Sequence, residues 1–268
     1  MNMSDSFKEK RLLGKTGMRV SRLGIASGYG ISAKAVERAY YEFGVNYFLW
    51  SSPRREGMEN ALRNLVITDR ENIVIAMQTY DHSGFFASRS VEKGLKELGA
   101  DYADILILGW HNSMPSKRLI NAALKLKEKG RIRHIGMSGH RRATFGAMAV
   151  DDASPVDVFM VRYNAVHAGA ETEIFPFLRE ENRPGITVYT ATCWRRLLDP
   201  KRMPRGERPL TASDCYRFVL SNPHVDLSLM GPSTELQMEG GLEALVRGPL
   251  AREEMARIRA IGEHIHGK

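Results

Sequence analysis

The sequence predicts an α/β protein folded as one (β/α)8 TIM barrel with an N-terminal β-hairpin and a C-terminal helix. Three observations carry this. Eight short runs rich in Val, Ile and Leu lie at residues 23–26, 46–49, 73–77, 104–108, 134–137, 156–161, 186–190 and 225–229. Most of them lack polar alternation, as expected of parallel strands buried on both faces. Amphipathic stretches separate them, and no break in composition divides the 268 residues, a length that suits one α/β barrel.

The elements follow in order. Residues 1–10 are polar and charged and read as a tail; the barrel is expected over 11–268. Residues 11–20 read as two short strands around a Lys15-Thr16-Gly17 turn, a hairpin placed to close the barrel bottom. Val91, Leu95 and Leu98 recur at helical spacing, as do Leu119, Ala122, Ala123 and Leu126. The arginine- and proline-rich stretch 199–209 has no hydrophobic period and is expected to be a mobile loop. After the last strand, Pro249-Leu250 introduces a terminal helix over 252–264, with Met255, Ile258 and Ile261 on one face.

Composition excludes several classes. With 43% hydrophobic residues the chain can bury a full core. No apolar run approaches the roughly 18–20 residues that span a bilayer, and the N-terminus has no apolar stretch of the signal-peptide kind. Cys193 and Cys215 form no C-x-x-C pair, so no disulfide framework is expected. A cytoplasmic location without a membrane partner follows as the expectation. The net charge of +8 permits an anionic partner without identifying one. The densest basic run, Lys125, Lys127, Lys129, Arg131 and Arg133, reads as a solvated helix end leading into a strand. No basic patch is interleaved with aromatics, so no nucleic-acid partner is expected. The oligomeric state is not legible.

Segments in the right order and spacing resemble the aldo/keto reductases, from about Arg11 to His264. They are the hairpin, Gly44-Val45-Asn46-Tyr47-Phe48, Gly130-Arg131-Ile132-Arg133-His134-Ile135-Gly136, and Pro223 followed by Gly231. The resemblance implies a ligand site at the C-terminal ends of the strands. It also implies a catalytic tetrad, and here the sequence departs from the family. Leu49 stands where the family has Asp, Arg54 where it has the proton-donating Tyr, Gln78 where it has Lys, and Gly109 where it has His. Guanidinium holds its proton beyond pH ~12, Gln78 has no charge with which to tune a neighbour, and Leu49 neither accepts nor donates. Hydride transfer needs a proton for the developing alkoxide, and losing a positioned acid removes about 10²–10⁴ in rate. His111 lies two residues beyond the family His.

The implied cofactor site is eroded in the same comparison. Ser138 is kept where the family uses Ser-Asn under the nicotinamide amide, but Gly139 follows it. Met160 replaces a family Gln, and Ala191 the stacking Tyr, with Trp194 nearby. Gly231, Ser233, Thr234 and Gln237 resemble the phosphate-binding turn, which can hold an anion through backbone N–H groups at a helix N-terminus or simply join strand to helix. Gly240-Gly241 replace the adenine-side Glu-Asn. The resident cofactor is therefore open; NADPH is possible at a weakened site.

A second set of residues follows the strand ends, where a barrel brings distant segments to one mouth. It comprises Arg54 and Arg55, His82, Trp110-His111-Asn112, His140-Arg141-Arg142, Arg162-Tyr163-Asn164, His167 and Trp194-Arg195-Arg196. Arginine suits carboxylate or phosphate through its planar fork, and aromatic faces stack rings or cations. The alternative is that individual arginines pair with Glu56, Glu171 or Asp199. The histidines lack compact metal-ligand spacing and sit among cations, so no metal is expected. Cys193 reads either as a thiol activated by Arg195 and Arg196 or as a packed residue.

The expected ligand set is Arg54, Gln78, Trp110, Arg162, Asn164 and Trp194, with His111 or His140 as general acid/base. The expected function is binding of a small anionic organic ligand and non-hydride acid/base chemistry, elimination or isomerisation. Two alternatives stand beside it: an NADPH-dependent carbonyl reductase with a substitute proton donor, and a non-catalytic binding barrel.

Overall fold

A computed structural model describes residues 6–51 and 55–267. A two-stranded antiparallel hairpin, β1 (Arg11–Leu12) and β2 (Arg19–Val20), precedes the barrel. Eight parallel strands then close on themselves. They are β3 (Leu23–Ala26), β4 (Tyr47–Trp50), β5 (Val74–Thr79), β6 (Ala103–Leu108), β7 (Ile132–Gly139), β8 (Val158–Arg162), β9 (Gly185–Tyr189) and β10 (Leu227–Met230). Each strand pairs with the next, and β10 returns to β3 with Leu229 beside Gly24.

The helices cover the outside: α1 (Ala33–Phe43), α2 (Glu56–Asp69), α3 (Gly84–Leu98), α4 (Lys117–Glu128), α5 (Arg142–Ala149), the single turn α6 (Ala170–Glu173), α7 (Ala212–Leu220), α8 (Glu235–Arg247) and α9 (Arg252–His266). Their starts follow from capping chemistry. Ser32 accepts from Ala35 N–H, Ser116 from Leu119 N–H, and Thr211 forms a reciprocal box with Asp214. Gly44 ends α1 in the left-handed conformation that non-glycine residues avoid.

Two buried layers result. Between sheet and helices lies the larger core, including Phe48, Leu106, Met137, Phe159 and Ile186. Inside the barrel a separate cluster contains Tyr47 and Leu49 of β4, Val74 and Ala76 of β5, Ile105 and Ile107 of β6, Val158 and Met160 of β8, and Leu227 and Leu229 of β10. These pairs are two residues apart, the pleat period, so the next position of each strand faces the mouth.

Three segments differ from the sequence reading. The tail is not wholly polar in behaviour: Phe7 is buried, donates its N–H to Leu245 O at 3.0 Å and lies under the Arg22 guanidinium. An isolated aromatic in a charged stretch is enough to dock it. The stretch 199–209 carries a 3₁₀ turn, Pro200–Arg202, capped by Asp199, and Arg257 of α9 holds Glu207 and Arg208 O. Polar anchoring substitutes for the missing hydrophobic period there. Finally, α9 runs two residues further than expected, because Ile265 continues the buried stripe of Ile258 and Ile261.

Candidate functional site

Continuing the inward period brings Gln78 of β5, Ser138 of β7, Arg162 of β8 and Tyr189 of β9 to the top of the barrel interior. Arg162 and Tyr189 are lateral partners in the sheet. Beneath them lie apolar Leu49, Met160 and Leu229. A network ties part of this layer together. Ser138 Oγ accepts from Gln78 Nε2 at 3.2 Å and from Trp110 N–H at 3.3 Å, while Tyr80 OH donates to Gln78 Oε1 at 3.2 Å. Both ends of the Gln78 carboxamide are therefore engaged within the protein. Trp110 is exposed and held with φ 58°, its ring 4.8 Å from that of Tyr80. Gly109 is a steric necessity: a Cβ there would meet Tyr80 Cδ1 at 2.7 Å and Thr79 O at 2.8 Å.

The two histidines named from sequence occupy different surroundings. His111 is buried, stacks on His82 with ring centroids 4.3 Å apart, and donates its backbone N–H to Ser138 O. Its Nε2 is buried without a hydrogen-bond partner. Loss of water, with His82 adding to it, holds its pKa below the ordinary value. His140 is exposed at the rim, and its Nδ1 lies 3.3 Å from Tyr189 OH. Burial and then Arg162 lower its pKa as well, so the imidazole is neutral near pH 7. Asn112 Oδ1 fixes the loop, accepting from His140 N–H at 2.9 Å and Arg141 N–H at 3.2 Å.

Tyr189 was not singled out by the sequence reading. The signal was available: it is the next inward position after Thr187. Burial raises its phenol to about 12, against the lowering effect of Arg162.

The cations sort sharply. Arg54 lies outside the described residues. Arg55 bonds Glu59 and Glu97 and covers Trp50; Arg142 bonds Glu173 at 2.6 Å; Arg196 donates to Ile265 O at 3.0 Å. Arg162 differs. Among the described residues it has no carboxylate partner, and its Nε is buried without an acceptor. Its guanidinium sits 5.9 Å from the centroid of the exposed Trp194 ring. Asn164 is fully buried and serves the loop: Nδ2 donates to Thr190 O at 2.8 Å, and Oδ1 accepts from Val166 and His167 N–H. It is thus committed within the protein rather than presented to a ligand. Cys193 is fully buried and burial raises its thiol pKa, the opposite of an activated thiolate. Among the described residues no group of three or more His, Cys, Asp and Glu side chains is placed to hold a metal ion.

Residues 27–193 match the profile of the aldo/keto reductase family. The chain belongs to that family. An L-galactose dehydrogenase of Arabidopsis thaliana is 27% identical over 96% of this chain and 95% of its own length. Among solved structures, an aldo-keto reductase from Bacillus halodurans in its holo form superposes with a TM-score of 0.77 at 24% identity, covering 94% of this chain and 96% of that one. An aldo-keto reductase from Klebsiella pneumoniae in complex with NADPH gives 0.75 at 20% identity, covering 95% of each. The structural likenesses carry the (β/α)8 fold and no more.

The cofactor turn expected from the family resemblance lies after β10. Thr234 caps α8, its Oγ1 accepting from Gln237 N–H at 3.2 Å. Gln237 folds back so that Oε1 accepts both Ser233 N–H and Ser233 Oγ–H at 2.9 Å. The donors a phosphate would need at Ser233 are thus already satisfied by the chain. Tyr29 lies on Gly231, where a Cβ would approach its ring to 2.4 Å. Gly241 is likewise filled, against Met230 Sδ at 2.6 Å. Ser138 Oγ, the other retained cofactor candidate, accepts twice within the mouth network. This arrangement does not fit a preformed dinucleotide cradle. No helix among the described residues is long and apolar enough to cross a membrane.

Proposed function

We propose that this aldo/keto-reductase barrel has a rebuilt mouth that binds a small anionic organic molecule and moves a proton on it, in an elimination or isomerisation. The observation that carries the reading is Arg162: an inward-facing guanidinium with a buried, unpartnered Nε and no carboxylate partner among the described residues. A planar fork without an internal acceptor suits a carboxylate or phosphate oxygen. Neutral His140 is the base that takes the proton from carbon, and as imidazolium it returns it to the rearranged carbon or to the leaving group. Tyr189, 3.3 Å from His140 Nδ1, orients the ring. Leu49 and Gly109 support a departure from the family's hydride chemistry, since neither can tune an acid and Tyr80 fills the space beside Gly109.

The likeness to an L-galactose dehydrogenase favours a second reading, a carbonyl reductase in which Tyr189 supplies the proton. A thermal-shift comparison separates them. Carboxylates and sugar phosphates at about 100 times their dissociation constant should stabilise the protein by roughly 2.7 kcal/mol. Arg162→Lys, which keeps the charge and loses the fork, should abolish that response. Equal responses in wild type and Arg162→Lys refute the anion site. Stabilisation by NADPH alone, with carbonyl turnover, establishes the reductase instead.

A further inference from the structure

Beyond Arg162 the mouth rim carries further cationic groups, and among the described residues not every one meets an acid. His167, in the loop after β8, has its ring 6.2 Å from Trp194 and 5.9 Å from His266 of α9, edge-on to both. Arg162 approaches the same Trp194 ring. Arg196 follows Trp194 in the β9–α7 connection and reaches α9 through Ile265 O. Arg142 of α5 lies against Gly169, where a Cβ would fall 2.6 Å from its guanidinium carbon. Loss of water, and then the nearby Arg162, His266, Arg196 and Arg142, push the pKa of His167 down to about 4. Of the three guanidinium groups only Arg142 has a carboxylate partner among the described residues, Glu173. Cys193, which also neighbours Arg196, is buried, and burial raises its thiol pKa; Asp199, in the same turn, pairs with Arg202.

The backbone that presents Trp194 is itself unusual. Cys193, Trp194 and Arg195 have φ of 50°, 50° and 69°, three consecutive non-glycine residues in the left-handed region. Strain of this kind persists where the surroundings fix it and gathers at ligand clamps. Here it holds an exposed indole beside Arg162 and His167.

We propose that His167, His266, Arg196 and Arg162 form a phosphate-binding site, so that the anion of the proposed reaction is a phosphate-bearing molecule. The inference rests on the anion reading of Arg162 and sharpens it. Two guanidinium groups without carboxylates match a dianion, whereas a carboxylate would leave one charge uncompensated. The donors come from β8, the two loops that follow β8 and β9, and α9, elements that the barrel brings to one side of the mouth. The dianion also opposes the field of the guanidinium groups on His167, and a neutral imidazole can still donate to it through its one N–H.

The test is a histidine side-chain NMR titration of the whole protein in inorganic phosphate, glycerol 3-phosphate or acetate at equal ionic strength. Near pH ~7.5, where a phosphate group is mainly the dianion, phosphate should shift the His167 ring signals saturably, and acetate should not. A larger response to glycerol 3-phosphate identifies an organic ester as the ligand, and a larger response to inorganic phosphate identifies the free ion. The response should disappear in Arg196→Gln. Because that change also cuts the bond to Ile265, His266→Gln, which keeps that bond, should independently weaken it. No phosphate-specific movement in wild type, or equal movement in acetate, overturns the inference. If acetate stabilises wild type but not Arg162→Lys, and His167 stays unmoved in phosphate, the anion site stands and the phosphate assignment falls. If phosphate moves His167 equally in Arg162→Lys, the cluster binds phosphate and the role given to Arg162 falls.

Discussion

The two ends of the barrel use charge in opposite ways. At the N-terminal end a polar residue at or just before the start of every second strand reaches sideways to the strand before it. Asn46 accepts from Ser21 N–H, Asp104 from Ile75, Asp157 from Ile135 and Asp226 from Ile186, at 2.8, 2.8, 3.1 and 2.8 Å. The three carboxylates are matched by cations. Asp226 takes both forks of Arg183 and lies 3.3 Å from Arg11; Asp104 takes Arg70; Asp157 takes Lys127 and Lys15. Among the described residues the mouth has no such ring. Arg162 and Arg196 have no carboxylate partner among the described residues, and the neutral network of Gln78, Ser138, Tyr80 and Trp110 stops short of Arg162. An end whose charges are internally satisfied holds the fold; the unpaired cations at the other end are what the proposed anion site rests on.

The largest expected effect tests that contrast directly. Asp226 is fully buried, so Asp226→Ala strips Arg183, Arg11 and the Ile186 N–H of one shared acceptor. Breaking a buried pair from one side costs about 3–5 kcal/mol, readable as a lower urea midpoint. Arg162→Gln, at the other end, should lie within about 1 kcal/mol of wild type, since it breaks no ion pair among the described residues. Comparable losses at both ends would break the comparison.

A smaller effect sharpens it. Ser138→Ala removes the acceptor shared by Gln78 and Trp110 in a buried position. The orphaned donors should cost about 1–2 kcal/mol, and the emission of Trp110 should change with its freed backbone. A silent substitution would mean that the mouth network contributes nothing.

The smallest effect is in pH. The folded pKa of His167 is about 4 against an unfolded value of about 6.5, so between them the unfolded chain binds more protons. Its contribution to stability is therefore complete above pH ~6.5 and is lost as pH falls towards ~4. Partial exposure screens the field, so the loss should be about 1 kcal/mol or less. Comparing urea midpoints at the two ends of that window, His167→Gln should flatten part of the slope. An unchanged slope would remove His167 from the cationic cluster.

The sequence by itself determined the order of strands and helices, the hairpin under the barrel and the terminal helix, because Val, Ile and Leu runs and helical spacing are local properties. It also brought forward Arg162, His140 and Trp194 by their position after strands. It could not tell Arg162 from Arg55, Arg142 or Arg196. Those three find acceptors 42, 31 and 69 residues away, at Glu97, Glu173 and Ile265 O. Nor could it separate His111, which stacks on His82, from His140, which meets Tyr189. Asn164 looked equally available until the loop around it claimed its amide. Only the tertiary structure decided these, for one physical reason. Desolvation, pairing and hydrogen bonding depend on distance through space, and barrel closure sets those distances between residues that the chain keeps far apart.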